Sequence, residues 1–118
     1  IIPKIDRRAL LEGLAHKPTV ILAVPTLYGI FCLLKTAPFE SVRYFVSGGD
    51  ALPDKIRAAF ALLYGRTICN GYGMTETSPL IAVHVHDERV PADTVGTPVI
   101  GVQCSIRLEE KEVAQGDV

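Results

Sequence analysis

Val42-Arg43-Tyr44-Phe45-Val46-Ser47-Gly48-Gly49-Asp50 is the stretch on which the fold turns. Five strand-forming residues run straight into a glycine pair, as at the carboxyl end of a buried strand. Pro53 then suits the first residue of a helix, and Asp54 suits its first turn. Ile56, Ala59, Phe60, Leu63 and Tyr64 recur at helical spacing and form an apolar stripe, and Gly65 ends it. Arg66 to Cys69 reads as the next strand, leading into Asn70-Gly71-Tyr72-Gly73-Met74-Thr75-Glu76-Thr77. Strand, loop, helix and strand in alternation predict an α/β fold, a parallel sheet with flanking helices.

The same alternation extends toward the start of the chain. Asp6 is placed to cap a helix running to about His16, with Ile5 and Leu10 as a staple and Leu10, Leu11 and Leu14 on one face. Thr19 to Val24 is a continuous apolar run, as expected of a strand covered on both faces. Pro25 breaks it, a helix follows over Leu27 to Leu34, and Pro38 ends that unit. Beyond Pro79 the character changes. Leu80 to Val85 reads as a strand, His86 to Asp93 as a polar loop, and Gly101 to Leu108 alternates like a half-exposed strand. This predicts a short antiparallel β appendage at the C-terminal end and a division into residues 1–79, α/β, and 80–118, β-rich.

Composition narrows the function. With 118 residues, 48% hydrophobic and 21% charged, the chain can bury a core. A formal net charge of -1 without basic clusters argues against a nucleic-acid partner. Cys32, Cys69 and Cys104 are odd in number and widely spaced, which points to a reducing compartment, hence the cytoplasm. Pro18 to Leu34 carries no charge, but it is short of the roughly 20 residues of a membrane span and Pro25 interrupts it. No transmembrane segment is expected. The chain opens on Ile and closes on Gln115-Gly116-Asp117-Val118, which reads as a fragment of something larger.

The octapeptide Asn70 to Thr77 holds two glycines around an aromatic ring, then a hydroxyl, then a carboxylate. Close backbone access, a stacking face, a hydrogen-bond donor and a cation ligand are what a nucleotide requires. The plainer reading is a glycine-rich turn entering a short helix. In open α/β sheets ligands bind beyond the carboxyl ends of the strands. Both glycine loops, Ser47–Asp50 and Asn70–Glu76, fall there, side by side over one crevice. His84 and His86 alternate along a strand and face the same way, but no third ligand is near, and surface histidines explain them better than a metal.

Three motifs in order now resemble one family. Ser47-Gly48-Gly49-Asp50-Ala51-Leu52-Pro53, Gly71-Tyr72-Gly73-Met74-Thr75-Glu76 and Val95-Gly96-Thr97-Pro98 with Gly101 look like the central part of the acyl-adenylating superfamily. That superfamily contains acyl-CoA synthetases, peptide-synthetase adenylation domains and luciferases. Val24-Pro25-Thr26 resembles the segment lining its acyl pocket. Thr77-Ser78-Pro79-Leu80 and Pro91 to Gly96 are most similar to fatty acyl ligases, especially the acyl-acyl carrier protein synthetase group with its bifunctional acylglycerophosphoethanolamine acyltransferases.

The resemblance implies that a carboxylic acid is activated as acyl-AMP by ATP and passed to a thiol of CoA or acyl carrier protein. Thr75 and Glu76 would be catalytic: Thr75 on the α-phosphate, Glu76 as the Mg2+ ligand. Gly48, Gly49, Asp50, Gly71 and Tyr72 would hold the adenine of ATP or AMP, with the Tyr72 ring on the base. Thr26, Ser47 and Gly73 would contact the acyl group, and Gly73 would leave room for a medium or long fatty chain. The family's phosphate loop lies upstream of this segment, and its ribose-binding aspartate, hinge and catalytic lysine lie downstream. The isolated chain is therefore expected to be inactive, and membrane association is a property the complete protein could carry. A peptide-synthetase adenylation domain and a non-catalytic nucleotide-binding module on the same scaffold stay open as alternatives.

Overall fold

The computed structural model describes residues 6–84, 94–108 and 111–112. Three helices and four strands occupy residues 7–84, and a fifth strand joins their sheet later in the chain. Helix α1 (Arg7–Ala15) starts where Asp6 accepts the Ala9 N–H at 2.9 Å, satisfying one of the free donors of the first turn. Its Leu10 and Leu14 are buried. Ile5, the other half of the expected staple, lies outside the described residues.

Strand β1 (Val20–Ala23) is followed at once by helix α2 (Pro25–Leu34). Pro25 opens this helix rather than standing before it, two residues earlier than the sequence pattern predicts. A first-turn residue needs no N–H, so proline costs nothing there. Strand β2 (Tyr44–Ser47), helix α3 (Asp54–Tyr64) and strand β3 (Ile68–Gly73) complete two strand–helix–strand units. Gly65 ends α3, its N–H bonded to Ala61 O at 2.8 Å.

Strands β1, β2 and β3 are parallel, in that order, as the alternation predicts. Strand β4 (Leu80–His84) then runs antiparallel to β3, and β5 (Thr97–Pro98) antiparallel to β4. The fold is thus α/β, with one mixed sheet in which the antiparallel strands continue the parallel ones across residues 79 and 80.

Parallel crossovers are right-handed as a rule, so two that advance in the same direction put both helices on one face of the sheet, where α2 and α3 touch. There Tyr28, Phe31, Phe39, Phe45 and Phe60 form one buried cluster with Leu10 and Leu14. Their rings meet mostly edge to face, for example Phe31–Phe39 and Phe39–Phe45 at 5.0 Å. The opposite face carries Val20 and Tyr44, paired in register, and Leu22, all exposed. The expectation that β1 is covered on both faces therefore fails on one side, where no described element packs.

After β5 the described residues add β6 (Arg107–Leu108) and β7 (Lys111–Glu112), a separate antiparallel pair. The predicted strand over Gly101–Leu108 shrinks to its last two residues. Ile106 and Leu108 are exposed, because no second layer of described residues lies under them. The Cα radius of gyration, 16.2 Å, exceeds the roughly 13–14 Å of a compact domain of this length.

Candidate functional site

The carboxyl ends of β2 and β3 are where the two glycine motifs come together. Beyond β2, Gly49 sits at φ +84°, a left-handed conformation natural to glycine, and turns the chain toward α3. Asp50 accepts the Ala51 N–H at 2.8 Å, which stiffens the turn. Gly48 donates its N–H to Ala23 O at 3.1 Å and so ties the turn to the end of β1.

The second motif is mostly strand. Asn70 to Gly73 belong to β3, paired to β4, and only Thr75–Thr77 form a short 3-10 turn. The sequence places the end of the third strand at Cys69. The ladder to β4 carries it four residues further, because β4 supplies hydrogen-bond partners that a lone glycine-rich segment would lack. A register shift lies between Tyr72 and Gly73. At Gly73 a Cβ would overlap the Pro79 carbonyl, so the irregular ladder itself demands glycine there.

Between these segments lies a cleft of about 400 Å³, lined by Gly49, Asp50, Ala51, Leu52, Asn70 to Gly73, and Val95. Such a volume suits a small ligand. Tyr72 leaves 45% of its surface exposed on this wall, so its ring has a free face. The cleft gathers Gly49, Asp50, Gly71, Tyr72 and Gly73 of the residues named from sequence. Thr75 and Glu76 stand next to it on the 3-10 turn, both exposed.

Thr77, which the sequence reading left without a role, stabilises that turn. Its hydroxyl accepts the Met74 N–H at 3.1 Å and lies 2.8 Å from Met74 O. Thr77 thus caps the turn at its start. The spacing of Met74 and Thr77 is the only signal that could have found it. The Thr75 hydroxyl and the Glu76 carboxylate make no hydrogen bond or ion pair among the described residues, and both are free to meet a ligand. Glu76 is one carboxylate alone. The described residues contain no group of three or more His, Cys, Asp or Glu fit to hold a metal.

Thr26, Ser47 and Gly73 do not form one pocket. Thr26 is exposed on α2, Gly73 lies in the cleft, and Ser47 is fully enclosed, its hydroxyl unpartnered among the described residues. His84 corrects the sequence reading outright. It is 6% exposed, the last residue of β4, on the core side of the sheet. Its pairing with Asn70 draws it inward, where local alternation alone leaves either face open. His86 and the loop to Asp93 lie outside the described residues.

The fold is an α/β scaffold with a cleft of small-ligand size at the carboxyl ends of its parallel strands. A family model described as AMP-binding enzyme matches residues 1–118, and the chain belongs to that family. It is 28% identical over 117 residues to a long-chain-fatty-acid–CoA ligase of Salmonella typhimurium, covering 95% of this chain and 21% of that protein. The fold superimposes on apo MatB of Rhodopseudomonas palustris with a TM-score of 0.82 and 27% identity, over 99% of this chain and 24% of that one. The anthranilate CoA ligase AuaEII, in complex with anthranoyl-AMP, matches with a TM-score of 0.77 and 25% identity, over 91% of this chain and 21% of that one. The chain spans about a fifth of the length of the curated relatives it matches.

Proposed function

We propose that this chain carries the adenine and α-phosphate side of the active site of an ATP-dependent acyl ligase. The reading rests on the cleft between the Gly49 turn and β3, walled by the Tyr72 ring, in a chain of the AMP-binding family. An acid carboxylate oxygen attacks the α-phosphorus of ATP, the bond to the β-phosphate oxygen breaks, and pyrophosphate leaves. A thiol sulfur then attacks the acyl carbonyl carbon and AMP leaves. Gly48, Gly49, Asp50 and Gly71 would border the adenine, Tyr72 would stack on it, and Thr75 would donate to an α-phosphate oxygen. Glu76 would hold Mg2+, which supplies neutralisation of the phosphate charge.

A fatty acid is the proposed acyl donor, because the long-chain-fatty-acid–CoA ligase is among the relatives matched over nearly the whole chain. CoA is the proposed acceptor on the same ground, with acyl carrier protein as its rival. A bifunctional acyltransferase partner domain, a cytoplasmic setting and membrane association of the complete protein belong to the same proposal. Among the described residues no helix is long and apolar enough to cross a membrane.

Hydroxamate trapping of acyl-AMP by the complete protein, over fatty, aromatic and amino acids, tests the reading. Fatty acyl hydroxamate is the expected product. Glu76→Ala should lower kcat by about 10²–10³, the size typical of losing a group that steadies transition-state charge. ATP binding without turnover of any acid would overturn the proposal. The 118-residue chain alone should show no ATP–pyrophosphate exchange above its Glu76→Ala control.

A further inference from the structure

Asn70 stands on the wall of the cleft between two interior polar residues. It pairs in register with Ser47 of β2 on one side and with His84 of β4 on the other. Residues paired this way share a face of the sheet, on strands about 4.8 Å apart. Ser47 is 0% exposed and His84 is 6% exposed, so neither reaches the cleft itself. Ser47 Oγ and His84 Nε2 have no hydrogen-bond partner among the described residues. Asn70, half-buried, is the member of the row that can meet a ligand.

Leaving a buried polar atom unpaired is costly, and two of them flanking one residue call for a shared partner. The Asn70 carboxamide can serve both. Its oxygen accepts two hydrogen bonds, its nitrogen donates two, and the torsion that turns it is soft. We infer that Ser47 and His84 are positioning residues that hold the Asn70 carboxamide in one of its two flips. The cleft thereby selects a purine with an amino group at position 6 over one with a carbonyl there. This inference rests on the adenine reading of the cleft and names the residues that give that site its base selectivity.

In the selected flip the Ser47 hydroxyl donates to Asn70 Oδ1, and His84 Nε2, its ring proton on Nδ1, accepts from Asn70 Nδ2. One lone pair of Oδ1 and one N–H of Nδ2 are then left to face the cleft. Adenine shows a donor at N6 beside an acceptor at a ring nitrogen, the pattern a carboxamide pairs with at both its ends. A 6-carbonyl purine sets an acceptor against Oδ1, where N6 donates. A carboxamide free to turn over would present Nδ2 at that point and take either base. Ser47 and His84 remove that freedom without touching the nucleotide.

Equilibrium binding of ATP and of inosine triphosphate to the complete protein, with no acid present, tests this. The two differ in the 6-substituent and the ring proton that goes with it. ATP should bind about 10–100-fold tighter, the range expected of one bidentate pair between an amide and a base. Ser47→Ala and His84→Leu should each cut that ratio by about threefold or more, and His84→Gln, which keeps a polar group in the row, should retain most of it. Ser47→Ala removes a single oxygen and remains a test even if His84→Leu fails to fold. A role in stability alone would weaken both nucleotides equally, and an unchanged ratio in the variants overturns the inference. So does a wild-type ratio near one, with the acyl-ligase reading still standing on fatty acyl hydroxamate formed with ATP. Binding of neither nucleotide overturns both.

Discussion

Tyr28 does the most bonding of any single side chain in the core. It is completely buried, and its hydroxyl lies 3.0 Å from Ile21 O and 2.9 Å from Val46 O, bridging the carbonyls of β1 and β2. Tyr28→Phe should cost about 1–2 kcal/mol in a urea titration, because the one phenol proton shared between these carbonyls is lost while the ring packing stays. Burial raises the pKa of this phenol above the ordinary 10.0, against a smaller lowering by the bond to Val46. A raised acid keeps its proton in the folded state after the unfolded chain has lost it. The associated stability is therefore full below pH 10 and is lost as pH rises beyond it. Urea midpoints at pH 8 and pH 10.5 should show that decline, and Tyr28→Phe should lessen it. Gly73 works through sterics instead. Gly73→Ala must displace the Pro79 carbonyl, so a loss of about 2 kcal/mol or more is expected by thermal melting, with ATP affinity falling as the wall of the cleft shifts.

Helix α3 carries the core at the next scale up. Phe60 is its one fully buried residue and meets Tyr28 and Phe45 edge to face, at 5.5 and 5.0 Å between centroids. Phe60→Ala should cost about 3–5 kcal/mol, read as a lowered denaturant midpoint. This helix was legible from sequence almost to the residue: the spacing of Ile56, Ala59, Phe60, Leu63 and Tyr64, with Pro53 before and Gly65 after, is local information. Strand β3 was not. Two of Asn70 to Gly73 are glycines, which weaken a strand, and beyond Asn70 it is pairing with β4 that makes them one. The site residues on it were legible as a motif but not as an edge-to-edge wall. The turn that follows depends on Thr77, and Thr77→Val should loosen Thr75 and Glu76, seen as faster amide exchange at Thr77 and Ser78.

At the scale of the whole molecule, the sheet has a helical face and a bare one. Leu22 is 74% exposed on the bare face, and β1, at the end of the strand order, has one edge unpaired among the described residues. An exposed apolar face beside a free edge favours association. The 118-residue chain should self-associate with rising concentration in sedimentation velocity, and Leu22→Lys should shift it toward monomer. A monomer at every concentration would show that the bare face is tolerated in water.

Local pattern alone determined the alternation of strands and helices, hence the parallel α/β scaffold, and placed both glycine motifs at strand ends. Those features depend on near neighbours: apolar spacing, proline and glycine punctuation, a capping aspartate. What only the tertiary structure decided involves residues far apart in sequence. The pairing of β3 with β4 converted a presumed loop into a strand, took His84 from surface to interior, and set it in one row with Asn70 and Ser47. Helix α2 and helix α3 share one face because both crossovers turn the same way, which leaves the apolar run of β1 half uncovered. Register and handedness are properties of the assembled sheet, and no single segment encodes them.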